Sequence, residues 1–85
     1  MPKIDIYTTY ACPYCARAKQ LLRAKKAVFN EIDVSDDYRL RQAMTERAKG
    51  RTSVPQIFVG ATHIGGCDDL HALEAQGKLD SVLAA

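Results

Sequence analysis

The sequence predicts one α/β domain: a mixed four-stranded sheet with helices on its faces, in the order β-α-β-α-β-β-α. Short apolar runs alternate with stretches of helical periodicity. The first two runs are joined through a helical stretch, and such a crossover makes their strands parallel. The last two are separated only by Gly60-Ala61, which makes them an antiparallel hairpin. All 85 residues are assigned to this single domain. A chain this short buries only about 60% of its unfolded surface, so two cores do not fit.

Lys3–Tyr7, with Ile4 and Ile6, reads as a buried strand, and residues 8–11 as the loop that follows. Pro13 suits the first turn of a helix, where its missing N–H is harmless. Ala16, Ala18, Leu21, Leu22 and Ala24 carry that helix to about Lys26. Val28–Val34 is the second strand, built on Phe29 and Ile32. Ser35-Asp36-Asp37 offers N-caps to a second helix. In it Leu40, Ala43, Met44 and Ala48 recur at helical spacing, and Gly50 is the expected C-cap. Gln56–Val59 and Thr62–Ile64 are the third and fourth strands. Gly65-Gly66 breaks the chain, and Cys67-Asp68-Asp69 starts a third helix that ends near Gly77. Asp80–Ala85 is the expected final helical turn.

Composition narrows the function. An apolar share of 47% with 26% charged residues excludes a disordered chain. No apolar run approaches the ~18 residues of a membrane span. The opening Met1–Ile6 lacks the apolar stretch of a secretory signal, so the expected location is cytoplasmic. A net charge of +2 is too balanced to indicate nucleic acid or an anionic membrane as partner. Five cations, Arg17, Lys19, Arg23, Lys25 and Lys26, nevertheless stand on the first helix with no acid among them. They read as a solvated face favoured by the helix dipole, or as a field that steers anionic substrates towards Cys12.

The three cysteines, Cys12, Cys15 and Cys67, are an odd number in a chain with a cytosolic address, which disfavours a structural disulfide framework. Cys12-Pro13-Tyr14-Cys15 places a thiol at a helix start. Unpaired N–H groups and the positive end of the dipole favour a thiolate there. Cys15 lies one turn inside and keeps its proton longer, which gives a division of labour: Cys12 attacks and Cys15 resolves. The competing readings are inert core cysteines and a zinc site of Cys12, Cys15, His63 and Cys67. No metal is assigned, because the pair sits on a strand-to-helix turn and no second Cys-x-x-Cys exists. His63 and His71 read as strand or surface residues.

Val54-Pro55 precedes a strand expected beside the Cys-x-x-Cys loop, and it is expected to be cis. That geometry would present the Val54 backbone to an extended thiol peptide, which would add like a strand. Gly65-Gly66-Cys67-Asp68-Asp69 allows close backbone approach and presents helix N–H groups to a carboxylate, with Asp68 available to an ammonium group. The alternative reading is an ordinary turn with an acidic cap. Cys67 is either core-facing or oxidisable, and it takes no catalytic role.

Together, Cys12-Pro13-Tyr14-Cys15, Thr52-Ser53-Val54-Pro55 and Gly65-Gly66-Cys67-Asp68-Asp69 resemble the dithiol site, the Thr-Val-Pro loop and the Gly-Gly-Cys-Asp-Asp motif of the glutaredoxin family. The compact length resembles its small bacterial members, the glutaredoxin 3 group. The resemblance implies a thioredoxin fold and glutathione as reductant. It also implies a redox-active Cys12–Cys15 disulfide, with Cys12 the catalytic nucleophile and Cys15 the resolving thiol. Tyr14 then flanks the bound glutathione, and Ser53, Val54 and Pro55 hold its cysteinyl backbone. Gly66, Cys67 and Asp68 hold its γ-glutamyl end. No tightly bound cofactor is implied, and a monomer is the default. Clients would be glutathionylated or disulfide-containing proteins, with ribonucleotide reductase one open choice. Thr9 departs from the lysine common in relatives, and Arg17 or Arg51 is the candidate replacement. The alternatives are a donor reduced by thioredoxin reductase and a carrier of a [2Fe–2S] cluster ligated by Cys12 and glutathione. Pro13 weighs against the carrier because it stiffens the loop.

Overall fold

The computed structural model describes residues 2–84. Its elements are β1 (Ile4–Thr8), α1 (Pro13–Ala24), β2 (Asn30–Asp33), α2 (Tyr38–Arg47), β3 (Gln56–Val59), β4 (Thr62–Gly65), α3 (Cys67–Ala75) and α4 (Leu79–Ala84). The sheet order is β2-β1-β3-β4. β1 runs parallel to β2 and antiparallel to β3, and β3 and β4 form the hairpin. The expected class, element order, crossover and hairpin are therefore those found. Gly60 takes the first turn position between the hairpin strands with a φ of 59°, as a type II′ connection requires.

Strand alternation sorts the core onto two faces. Ile4 and Ile6 of β1 and Ile57 and Val59 of β3 pack with Ala18 and Leu22 of α1, Leu70 of α3 and Leu79 and Leu83 of α4. Tyr7 and Phe58 point the other way and pack with Met44 and Ala48. The central strands β1 and β3 are thus buried along their whole length. Leu22, Leu70 and Leu79 are fully buried, each contributing roughly 1.5–3 kcal/mol. Of the four residues expected to bury the α2 face, only Met44 and Ala48 do so; Leu40 and Ala43 stay exposed.

Boundaries differ where tertiary context decides. β1 begins and ends one residue later than its apolar pattern suggests. β2 covers Asn30–Asp33 and not the expected Val28–Val34, because as an edge strand it finds ladder partners only from Asp5 to Thr8. Val28 is consequently exposed, while Val34 donates its N–H to the Thr8 carbonyl at 2.8 Å and enters the core. Only Asp37 of the three candidate caps caps α2, accepting the Leu40 N–H at 3.0 Å. Ser35 instead accepts the Tyr10 N–H at 2.9 Å, and this ties the loop before Cys12 to the end of β2. α4 begins at Leu79, and the expected last residue of that turn, Ala85, lies outside the described residues.

Gly50 is not the C-cap of α2; Ala48 is. Lys49 follows in the left-handed region with a φ of 56°. Its N–H bonds Glu46 at 3.1 Å, and the Gly50 N–H bonds Thr45 at 2.8 Å. These two bonds make a Schellman motif with lysine in the left-handed position. A β-carbon there costs roughly 1–2 kcal/mol, against roughly 0.5–1 kcal/mol for the greater unfolded freedom of glycine. Lys49→Gly is therefore expected to raise stability by about 0.5 kcal/mol in urea unfolding. A fall in stability would contradict this account of the helix end.

Candidate active site

Cys12 is the N-cap of α1, with extended backbone, and Pro13 fills the first helical turn. A cysteine replaces the usual oxygen cap: its Sγ accepts the Cys15 N–H at 3.1 Å. That N–H is one of the orphan donors of a helix start, so the geometry supports negative charge on this sulfur. In its thiol form Cys12 also donates to the Val54 carbonyl at 3.8 Å. This joins α1 to the segment before β3, where the Val54-Pro55 bond is cis, as expected from the sequence.

Cys15 is 1% exposed. Burial, and after it the hydrogen bond with Cys12, pushes its thiol up to about 12, while the Thr9 backbone and the Lys19 charge oppose that rise. At neutral pH Cys15 is a thiol held beneath an accessible sulfur. All three cysteines are free.

A cleft of about 200 Å³ opens between α1, the Val54-Pro55 segment and the start of α3. Its wall contains Tyr14, Ser53, Val54, Pro55, Gly66, Cys67 and Asp68. The structure thus brings all seven side-wall residues singled out from the sequence to one depression beside Cys12. Tyr14 is half exposed, with the Arg17 guanidinium 5.9 Å from its ring centre. Cys67 and Asp68 occupy the first two positions of α3, where backbone N–H groups face out of the helix end.

Two further residues complete the wall, Arg51 and Asp69. The Asp69 carboxylate accepts the Gly66 N–H at 2.8 Å and the Arg51 Nη1 donor at 3.3 Å. The Gly66 N–H, and to a lesser extent Arg51, holds this carboxylate below the usual range. Asp69 therefore both caps α3 and fixes a cation at the cleft. A β-carbon on Gly65, whose φ is 115°, would collide with that carboxylate and with Arg51. The acidic-cap reading of the motif is right for Asp69, while Asp68 stays exposed. Glycine followed three residues later by aspartate was the available signal. Of the two cations considered in place of a lysine at Thr9, Arg51 lines the cleft and Arg17 covers Tyr14 instead.

Cys67 is 4% exposed and belongs to the core. Burial pushes its thiol up, and its sulfur lies 3.4 Å from His71 Nδ1. His63 stands apart from the cysteines. Its ring stacks on Phe58 at 4.7 Å, and its Nε2 lies 2.7 Å from Gln56 Oε1. Gln56 in turn donates to the Ser53 carbonyl at 2.9 Å, so His63 supports the cleft wall from behind. Among the described residues no three His, Cys, Asp or Glu side chains are arranged to hold a metal.

The chain is similar to known proteins of one family. The family model described as Glutaredoxin matches residues 4–64. A glutaredoxin of Pseudomonas aeruginosa is 56% identical over 85 residues, covering 100% of both chains. Glutaredoxin 3 of Escherichia coli K12 is 52% identical over 83 residues, covering 98% of this chain and 99% of the relative. The crystal structure of a buckwheat glutaredoxin–glutathione complex superposes with a TM-score of 0.87 at 28% identity, over 98% of this chain and 77% of that one. With the family model spanning well over half its length and relatives matching it end to end, the chain belongs to the glutaredoxin family, whose members are glutathione-dependent thiol–disulfide oxidoreductases.

Proposed function

We propose that this chain reduces protein–glutathione mixed disulfides and protein disulfides, with Cys12 as nucleophile, Cys15 as resolving thiol and glutathione as reductant. One observation carries the reading: the Cys12 sulfur, capped by a helix N–H, lies against the carbonyl of Val54 at the edge of the cleft. A disulfide laid along Val54 brings its sulfur to the nucleophile.

In the monothiol route the Cys12 thiolate attacks the glutathione sulfur of a mixed disulfide. The S–S bond breaks, and the protein thiolate leaves and takes up a proton. A second glutathione thiolate attacks the Cys12–glutathione disulfide, releases oxidised glutathione and restores Cys12. In the dithiol route Cys12 attacks a protein disulfide. Cys15 loses its proton, attacks Cys12 and expels the second client thiolate. Two glutathiones then reduce the Cys12–Cys15 disulfide. The balance is two electrons into the client and one oxidised glutathione out.

The proposed cradle takes the cysteinyl backbone on Ser53, Val54 and Pro55, with Tyr14 flanking it. The γ-glutamyl carboxylate meets the N–H of Cys67 and its ammonium meets Asp68, while Gly66, whose own N–H is taken by Asp69, lets the backbone approach closely. Arg51, held by Asp69 beside Gly66, adds positive charge to the cleft that has no lysine at Thr9. We assign the whole of residues 1–85 to one glutaredoxin domain acting as a monomer in the reducing cytoplasm, without a tightly bound cofactor. No helix among the described residues is long and apolar enough to cross a membrane.

The test compares reductants. A glutathionylated protein is to be turned over with glutathione, glutathione reductase and NADPH, and in parallel with thioredoxin reductase and NADPH. Turnover is expected in the first mixture and background in the second. The reverse pattern would identify a thioredoxin-reductase-driven donor and overturn the cradle.

A further inference from the structure

The dithiol route asks a buried thiol to ionise, and the helix end that serves Cys12 does not serve Cys15. Lys19 stands four residues after Cys15 on α1, on the same face one turn further on. Helix side chains lean towards the N-terminus, so the lysine stem runs back over the Cys15 turn. Its ammonium is held by β2. Lys19 Nζ lies 2.9 Å from Glu31 Oε2, and the same oxygen accepts the Thr8 hydroxyl at 2.7 Å. Thr8 is fully buried at the end of β1, next to the loop that leads to Cys12. Only 22% of the Lys19 side chain is exposed, so it is not the solvated cation expected of that face; Lys25, at 18% and held by Glu74 and Asp80, is likewise fixed, but it lies at the far end of α1 from Cys15.

We propose that Lys19, held by Glu31 and Thr8, is a positioning residue for the resolving step: its fixed positive charge favours the thiolate of Cys15. The inference rests on the dithiol reading above. In the step it assists, the Cys15 thiol gives its proton to solvent. The thiolate attacks Cys12 in a Cys12–client disulfide, the Cys12–Cys15 bond forms and the client thiolate leaves to be protonated. Cys12 and Cys15 lose two electrons together and the client gains them.

The groups that act on Cys15 are consistent with this. Burial first and Cys12 second oppose its ionised form; the Thr9 backbone favours that form, and the Lys19 charge adds a smaller effect in the same direction. Across the sheet edge, Glu31 is held below the usual carboxylate range by the Thr8 hydroxyl first and Lys19 second, with Arg23 adding a smaller effect. Glu31 therefore stays charged and anchors the lysine throughout the working pH range.

The test needs no glutathione, so it stands apart from the cradle. Reduced protein is mixed in stopped flow with 2,2′-dithiodipyridine, an uncharged disulfide, and thiopyridone release is followed. The first phase reports attack by Cys12. The second reports resolution by Cys15 and must vanish in Cys15→Ser. Lys19→Met is expected to slow the second phase roughly threefold to tenfold at neutral pH, and to move its pH–rate curve roughly 0.5 to 1 pH unit upward. The first phase is expected to stay unchanged. Lys19→Arg is expected to restore the second phase, since it keeps the charge. An unchanged second phase in Lys19→Met, equal slowing of both phases, or failure of Lys19→Arg to restore the rate would overturn the proposal. If the two phases behave as expected while glutathione turnover fails, the cradle falls and the role of Lys19 stands.

Discussion

Arg47→Ala is expected to destabilise the protein by about 2–3 kcal/mol. Asp5 is the second residue of β1, is 6% exposed and faces α2. Its carboxylate receives Arg47 Nη1 at 2.9 Å, with Asn30 Nδ2 further off at 3.4 Å and Lys3 at 4.0 Å. Arg47 also donates to the Tyr7 hydroxyl at 3.1 Å and the Gly60 carbonyl at 3.3 Å, and it lies 4.0 Å from the centre of the Phe58 ring. Its removal leaves a buried carboxylate with weak partners and uncovers two aromatic rings. Orphaning one member of a fully buried pair costs roughly 3–5 kcal/mol. Arg47 is about one-third exposed and Asn30 remains, so the lower end applies. At roughly 4–8 °C per kcal/mol for a domain of this size, the melting temperature should fall by about 10–20 °C. Asp5→Asn combined with Arg47→Met should recover most of that loss, because no orphan charge remains. Arg47→Lys should recover only part, since a point charge replaces neither the fork nor the stacking. A single variant as stable as the wild type would contradict this view of how α2 is fixed to the sheet.

That pair also marks where the sequence was silent. Ile4 and Ile6 made β1 legible as a strand, and alternation alone placed Asp5 on its opposite face. Nothing in the local pattern said that this face is covered, or that Arg47, forty-two residues away, covers it. The same limit applies to β2: its apolar residues suggested a strand of seven, and only the length of its one neighbour trims it to Asn30–Asp33. Glycine marked the end of α3 at Gly77 and misplaced that of α2, where Lys49 and not Gly50 follows the cap; the end of α1 was read close to Lys26, without its left-handed turn. Those two lysines adopt the left-handed conformation without glycine's licence.

The site was more legible than the fold's edges because its parts are local. Cys12, Pro13 and Cys15 are contiguous, and a helix start imposes their relative geometry whatever surrounds it. The Val54-Pro55 and Gly65–Asp69 segments are likewise short. Their meeting at one cleft follows from β1 and β3 being neighbours and from β4 leading directly into α3. Long-range side-chain ties were not legible. Arg51 reaches the cleft through Asp69, and Lys19 is fixed through Glu31 and Thr8. Each joins residues whose proximity only the folded chain creates.

The central claim is that Cys12 alone performs deglutathionylation and that Cys15 is needed only to resolve protein disulfides. The direct measurement is glutathione-dependent reduction of a small mixed disulfide, coupled to glutathione reductase, on wild type, Cys12→Ser and Cys15→Ser. The serine hydroxyl is no nucleophile at neutral pH, so Cys12→Ser should lose at least about a thousandfold, to the uncatalysed background. Cys15→Ser should keep activity within a few-fold of wild type, because the buried thiol takes no part in the monothiol route. Activity that survives in Cys12→Ser, or disappears in Cys15→Ser, would contradict the assignment of nucleophile and resolving thiol.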